Sequence, residues 1–306
     1  MSINKSVFLS KIFILNLPFF IYRKLRSNND KSNISSRIIK IAVVSVFLGV
    51  FVSLCAISIG KGLQSAIKEK LYSLSPDITI STYENNSRGI ASEKINNFQI
   101  VDSEIKTALP DLKFENIIEK PTLISMNNSF ETVIFRGVND GYSFDNLNKF
   151  ILGSKTLNNL TNKEIVISKS LSDKLEIAVG QNLTLYFQTD NNQRIPNIRS
   201  FTVTHIFKTD FPDFDNNYVI GSSQTLQNIF NWNNYEYATI EISIDEKSKI
   251  SLIEESISSL KSFEKNNLSI KSIKYKYENI FNWISIFDFN IILITSLMIL
   301  VAIISV

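Results

Sequence analysis

The sequence predicts a membrane α plus α+β protein. An N-terminal transmembrane helix continues as a stalk into an extracytoplasmic domain of mixed sheet and helix, and a second transmembrane helix then begins. Three observations predict this. Lys40 and Lys61 bracket twenty uncharged residues, Ile41–Gly60. As a helix rising about 1.5 Å per residue they reach roughly 30 Å, the thickness of a bilayer's hydrocarbon core. Eighteen apolar or uncharged residues, Phe289–Val306, follow the last charge at Asp288. The long stretch between the two alternates strand-like and helix-like patterns, which favours a layer of sheet with helices on one face.

The boundaries follow from charge. Residues 1–40 hold eight Lys or Arg against one acid, Asp30, although the whole chain carries only +3. The basic excess therefore flanks the first span and does not describe a nucleic-acid-binding surface. The positive-inside rule puts the N-terminus in the cytoplasm and the residues after Gly60 across the membrane. We read residues 1–37 as a cytoplasmic amphipathic segment, with Phe8–Leu25 mixing apolar and basic residues around Pro18 on the inner membrane surface. Residues 38–60 form transmembrane helix 1, with Ser35 or Ser36 as its cap. Residues 61–280 form the periplasmic domain with its stalks, and residues 281–306 start transmembrane helix 2. A cleaved signal peptide fits poorly, because the apolar run and the region before it are too long and no A-x-A-like site follows. The single cysteine, Cys55, lies within the span as a small apolar residue. A carboxylate directly after Phe289–Val306 would sit in mid-bilayer, so the natural protein is expected to continue.

The first span has two faces. Ala42, Ser45, Gly49, Ser53, Ala56 and Gly60 recur at spacings of three and four, a small-residue face on which another helix can approach closely. Phe51, Leu54 and Ile57 lie mostly off that line and form the lipid- or substrate-facing side. The alternative is a bare anchor with incidental small residues. Leu63, Ile67 and Leu71 continue the helical spacing as a stalk that ends near Ser75-Pro76.

Strands are expected at Asp77–Tyr83, Phe114–Ile118, Thr122–Met126, Phe130–Val138, Glu164–Ser168, Leu183–Phe187, Phe201–Phe207, Tyr218–Ile220, Tyr237–Ile244 and Leu268–Ile273. Helices are expected at Ile100–Leu109, Lys169–Leu175, Ser223–Phe230 and Lys249–Leu260. Asn127-Asn128 marks a hairpin turn, and Gln188–Ser200 reads as a polar tongue. No internal repeat is visible. From Tyr275 the helical pattern returns, with Trp283 and its aromatic neighbours suited to a membrane interface.

Enzyme chemistry finds no support. Gly60-Lys61 lacks the partners of a phosphate loop, and no nucleophile elbow is present. His205 is the only histidine, so a histidine metal cluster is excluded, and an apolar strand is its setting. Asp210, Asp213 and Asp215 cluster, but without the glycine and distal glutamate of a calcium loop. The chain is read as non-catalytic, without cofactor or metal.

Several blocks nevertheless resemble a known family. Glu164-Ile165-Val166-Ile167-Ser168 through Leu175, then Val179-Gly180-Gln181-Asn182-Leu183-Thr184-Leu185, is similar to a block of lipoprotein-releasing ABC permeases of the LolC/LolE type. So are Phe201–Phe211 with Asp215 and Tyr218-Val219, the helix exit Ile59–Gln64, and Phe287-Asp288-Phe289-Asn290 at the second span. The chain departs from the pattern at His205 and Asp210, where the family usually has glycine. MacB and FtsX permeases share the architecture.

The resemblance implies a MacB-like periplasmic domain in a multi-pass protein of the bacterial inner membrane with four spans. It implies a separate ABC ATPase subunit that hydrolyses ATP, a second permease copy or homologue, a periplasmic lipoprotein carrier, lipoprotein cargo and membrane lipid as partners. Nucleic acid is not among them. It further implies a carrier-binding hairpin, whose descending arm resembles Arg194, Ile195, Pro196, Asn197, Ile198 and Arg199, although an ordinary solvated hairpin fits these residues equally well. The expected function is release of lipoproteins from the inner membrane to the carrier. The alternatives are a MacB/FtsX-like permease that transmits force to a periplasmic partner, and a two-span sensor.

Overall fold

The computed structural model describes residues 34–83, 93–126, 129–188 and 195–305. In chain order these form α1 (Ile34–Leu74), β1 (Ile78–Thr82), α2 (Phe98–Ala108), β2 (Lys113–Met126), β3 (Ser129–Val138), α3 (Asp145–Asn148), β4 (Glu164–Ser168) and α4 (Lys169–Leu175). Then come β5 (Asn182–Phe187), β6 (Asn197–Phe207), α5 (Pro212–Asp215), β7 (Tyr218–Ser222), α6 (Ser223–Phe230) and β8 (Thr239–Ser243). The chain closes with α7 (Ile250–Ser258), α8 (Lys261–Lys265), β9 (Leu268–Ser272), α9 (Ile273–Lys276) and α10 (Glu278–Ser305). The amphipathic segment Phe8–Leu25, the turn Asn127-Asn128 and residues 189–194 of the expected tongue, Arg194 among them, lie outside the described residues. α1 already contains Ser35 and Ser36, so neither is its cap.

The chain divides into two compact units, one of residues 1–66 with 282–306 and the other Ile67–Phe281. In the first, α1 and α10 supply two helices long and apolar enough to cross a membrane. Among the described residues of the second, nine strands form one sheet in the order β3-β7-β4-β6-β5-β2-β8-β1-β9, and β3 also pairs with β2. That extra pairing changes the architecture. Instead of a single layer with helices on one face, six strands (β2, β3, β7, β4, β6 and β5) close into a ring. β8, β1 and β9 extend from it as a separate wing.

The cause is the length of β2. The sequence suggests two short strands interrupted at Pro121, but β2 runs unbroken for 14 residues. One edge pairs with β3 from Ile117 to Met126. The other edge pairs with β8 at Lys113–Ile117 and with β5 only from Thr122. Pro121 stands opposite Ile134, whose N–H donates away from β2, to Asn217 O at 2.6 Å. The missing donor of Pro121 therefore points into the unpaired gap between β8 and β5, where no ladder bond is lost.

Three apolar clusters hold this unit. Phe135, Phe187 and Phe201 meet inside the ring, with centroids 5.5 Å apart for Phe135–Phe187 and Phe135–Phe201. Gly221 on β7 makes room for them: a Cβ there would lie 2.3 Å from Phe135 Cζ. α4 and α6 cover the same cluster with Leu171, Leu175, Leu226 and Ile229. Each follows a strand whose last serine caps it. Ser168 Oγ accepts the Leu171 N–H at 3.0 Å, and Ser222 Oγ accepts that of Gln224 at 3.3 Å. The wing packs Ile78, Ile80, Ile240 and Ile242 against α2 and α7. A third cluster lies under Phe207 and Phe214.

The surroundings of His205 and Asp210 have local explanations. β4 and β6 slip register between Ile165↔Val203 and Val166↔His205, leaving Thr204 as a bulge. The bulge inverts the alternation, so Val203 faces the ring's core while Phe207 faces the third cluster. Asp210 adopts φ 55°, the left-handed region that favours glycine. The buried Asp215 carboxylate supports that turn, accepting the N–H groups of Thr209 and Asp210 and the Thr209 hydroxyl at 2.7–3.2 Å. The acidic cluster is thus a loop clamp through Asp215.

Candidate functional site

The first candidate surface lies on the ring beside β2, β3 and β5 and next to the start of β6. Pro121, Leu123, Phe130, Tyr186 and Pro196 line an apolar groove of about 480 Å³. Alternation explains it. All but Pro196, which precedes β6, are outward positions of strands whose inward neighbours, such as Ile124, Leu185 and Phe187, fill the ring. Phe130 and Tyr186 meet edge-to-face with centroids 6.2 Å apart, and the Thr122 hydroxyl donates to Tyr186 O at 2.8 Å, which holds the floor. Phe130 is 64% exposed and Leu123 42%.

The residues expected to form a hairpin arm border this groove. Ile195 is 75% and Ile198 50% exposed, and Pro196 lines the groove itself. Asn197 and Ile198 already belong to β6, opposite Phe187 and Tyr186. The tongue is therefore shorter than Gln188–Ser200, because the ladder with β5 continues that far. Arg199 is exposed and its guanidinium donates to Ile198 O at 3.2 Å. Sequence reasoning singled out residues 194–199 but not Leu123, Phe130 and Tyr186. The available signal was the pair of large apolar residues at outward strand positions flanking Asn127-Asn128.

The helical unit places the small-residue face in two halves. Ser53 and Gly60 are buried and Ala56 is half-buried, whereas Ala42, Ser45 and Gly49 are exposed. α10 accounts for the difference: a Cβ on Gly60 would touch Ile291 Cδ1 at 3.4 Å. One turn further on, the buried Gln64 amide donates to Ile284 O and to Asp288 Oδ1, both at 3.2 Å. Gln64 was not foreseen, although it continues the same spacing from Gly60. Phe51 and Leu54 are exposed to 56% and 57%, and Ile57 is half-buried.

A buried ionic network lies on the other half of β2. Arg136 reaches Glu119 at 2.6 Å on the neighbouring strand and Glu241 at 2.5 Å on β8. Burial works against the charge of Arg136, but Glu241, Tyr142 and Glu119 outweigh it and hold the guanidinium firmly protonated. Glu115 stands opposite Glu241 across the β2–β8 pair, and burial raises its pKa. His205 packs against Thr204, with Nδ1 to Oγ1 at 3.1 Å, and burial lowers its pKa. Among the described residues no group of three or more His, Cys, Asp or Glu is arranged to hold a metal ion.

Comparison with known proteins follows this geometry. Residues 41–260 match the MacB-like periplasmic core domain. No curated protein matches the chain. The periplasmic region of MacB from Actinobacillus actinomycetemcomitans is 19% identical, over 67% of this chain and 92% of that one, with a TM-score of 0.41. The extracellular domain of the noncanonic ABC-type transporter YknZ from Gram-positive bacteria is 13% identical, over 64% and 99%, with a TM-score of 0.42. A domain of a permease-like protein from Porphyromonas gingivalis is 12% identical, over 63% and 85%, at 0.29. The domain match covers most of the chain, from within α1 to the end of α7. The chain belongs to the family built on the MacB-like periplasmic core domain.

Proposed function

We propose that this chain is a non-catalytic permease subunit of an ABC-type transporter that releases lipoproteins from the bacterial inner membrane to a periplasmic carrier. A separate ATPase subunit supplies the hydrolysis, and a second permease copy or homologue completes the transporter. The observation that carries the reading is the exposed apolar groove beside Ile195–Arg199, on a MacB-like periplasmic domain flanked by two helices of spanning length. A soluble carrier that shields acylated cargo presents an apolar rim, and Phe130, Leu123, Ile195 and Ile198 offer it a matching surface. Acyl chains sit against Phe51, Leu54 and Ile57, and the small-residue face from Ala42 to Gly60 packs helices.

The test is reconstitution with the ATPase subunit in vesicles that hold a lipoprotein. Wild type releases the lipoprotein to soluble carrier. The double substitution Ile195→Asp with Ile198→Asp stops release while ATP hydrolysis continues, and a photo-crosslinker at position 54 captures the lipoprotein. Release unaffected by the substitutions refutes the carrier surface. Absence of any release by the wild type, with an ATP-dependent effect on a periplasmic partner, establishes the second reading. That reading is a MacB/FtsX-like permease that transmits force without moving lipid, and the family match favours it equally.

A further inference from the structure

A groove of about 670 Å³ runs between the start of α2 and the loop that joins α6 to β8, within the unit Ile67–Phe281. That volume is within the range of small-molecule sites, about 300–1,000 Å³. Five exposed carboxamides line it: Asn96, Asn97, Gln99, Asn233 and Asn234. Asn97 Nδ2 donates to Asn266 Oδ1 at 3.2 Å. Among the described residues, the side chains of Asn96, Gln99 and Asn234 make no hydrogen bond within the protein. Apolar surface stands beside these amides. Tyr235 is 68% and Ile100 62% exposed. Trp232 is half-buried, with Lys120 Nζ 5.0 Å from its ring.

The loop is held in one shape from below. Gln227 is 2% exposed, and its amide donates to Asn234 O at 3.2 Å and to Glu236 O at 3.1 Å. The Trp232 N–H donates back to Gln227 O at 2.8 Å. A buried carboxamide is thus spent on fixing an exposed loop, which pre-organises the face above it. Charge is cancelled in the same place. Lys94 Nζ and Glu236, the two charged side chains of the lining, pair at 2.7 Å, and Glu236 also accepts the Asn233 N–H at 2.8 Å.

This lining selects its ligand by elimination. With its one cation already paired, the groove offers little to a phosphate or a nucleic acid. A wholly apolar ligand would strip water from the carboxamides without replacing its hydrogen bonds. A pyranose meets both requirements. Its hydroxyls donate and accept, as a carboxamide does, and its C–H face lies against the negative face of an aromatic ring. An acetamido substituent adds an amide for the carboxamides and a methyl group for Ile100. We propose that this groove binds a neutral glycan of N-acetylhexosamine units, with Tyr235 and Trp232 as stacking surfaces and Asn96, Gln99 and Asn234 as hydrogen-bonding partners. The sugar can be free or one unit of a chain. This site does not depend on what the permease carries.

Calorimetric titration of the full chain tests it, in a detergent without a sugar headgroup, with N-acetylglucosamine and triacetylchitotriose as probes. A trisaccharide that binds more tightly than the single sugar assigns the site to a glycan chain, and equal affinities assign it to a free sugar. Tyr235→Ala is expected to weaken binding by about tenfold, whereas Tyr235→Phe, which keeps the ring face, binds as the wild type does. Asn96→Ala with Asn234→Ala is expected to cost about tenfold, the worth of one or two hydrogen bonds. Each variant is checked for an unchanged circular-dichroism spectrum. Cellotriose, which lacks the acetamido groups, is expected to bind about tenfold more weakly than triacetylchitotriose. The proposal is overturned if neither probe binds, if Tyr235→Ala and the double variant both bind as the wild type does, or if cellotriose binds as well as triacetylchitotriose.

Discussion

Removing the guanidinium of Arg136 should be the most damaging single change to the extracytoplasmic unit. Arg136 and Glu241 side chains are each 8% exposed and Glu119 is 13% exposed, so the ion triplet is almost wholly out of water. Glu115 adds a further carboxylate directly opposite Glu241. Arg136→Met keeps the length and apolar stem of the side chain but leaves these carboxylates facing one another. Breaking a buried pair by deleting one partner costs about 3–5 kcal/mol, since the remaining charge stays buried and uncompensated. For a unit the size of Ile67–Phe281, each kcal/mol lowers the melting temperature by about 2–4 °C, so the loss is on the order of 6–20 °C.

The assay is thermal melting of the detergent-solubilised chain at neutral pH, followed by circular dichroism. A triple variant, Arg136→Met with Glu119→Leu and Glu241→Leu, should recover most of the loss, because apolar side chains replace the whole network. If Arg136→Met melts within about 2 °C of wild type, or the triple variant is no better than the single one, the network does not hold β2, β3 and β8 together as argued.

Two further predictions concern the same unit. Gly221→Ala places a Cβ 2.3 Å from Phe135 Cζ, and Phe187 and Phe201 confine that ring, so overpacking should cost about 1–3 kcal/mol or more. Phe135→Leu in the same chain should return part of it in a double-mutant cycle, and additive losses would refute the clash. Glu115 has its pKa raised by burial, so the folded chain holds that proton more tightly than the unfolded one. Its contribution to stability is therefore present below the ordinary glutamate pKa and is lost as pH rises through the raised value. Glu115→Gln should flatten the melting profile above the ordinary glutamate range and raise stability where the wild-type carboxylate is ionised, whereas parallel profiles would contradict the assignment.

Much of the local structure was legible. The first helix was read through Gly60 into a stalk ending near Ser75-Pro76, and α1 ends at Leu74. Glu164–Ser168, Lys169–Leu175 and Ser223–Phe230 coincide with β4, α4 and α6, because apolar spacing and a capping serine act within a few residues. The site was less legible. Glu119, Arg136 and Glu241 lie in alternating strand segments where a charged residue ordinarily signals solvent, and only their meeting on β2, β3 and β8 makes them buried partners. Asp77 looked like the first residue of a strand, and its role appears when Ile244 and Lys247 arrive from far along the chain.

By itself the sequence determined where the longer helices and most strands form and which stretches are apolar enough to span a membrane. Those outcomes depend on side-chain period, capping and proline, all of them short-range. Tertiary structure alone decided that β2 serves β3, β5 and β8 at once and closes six strands into a ring. It also decided which outward side chains gather into the groove and which charged side chains are buried together. Strand partners and register are chosen by contacts between residues distant in sequence, and no local pattern encodes that choice.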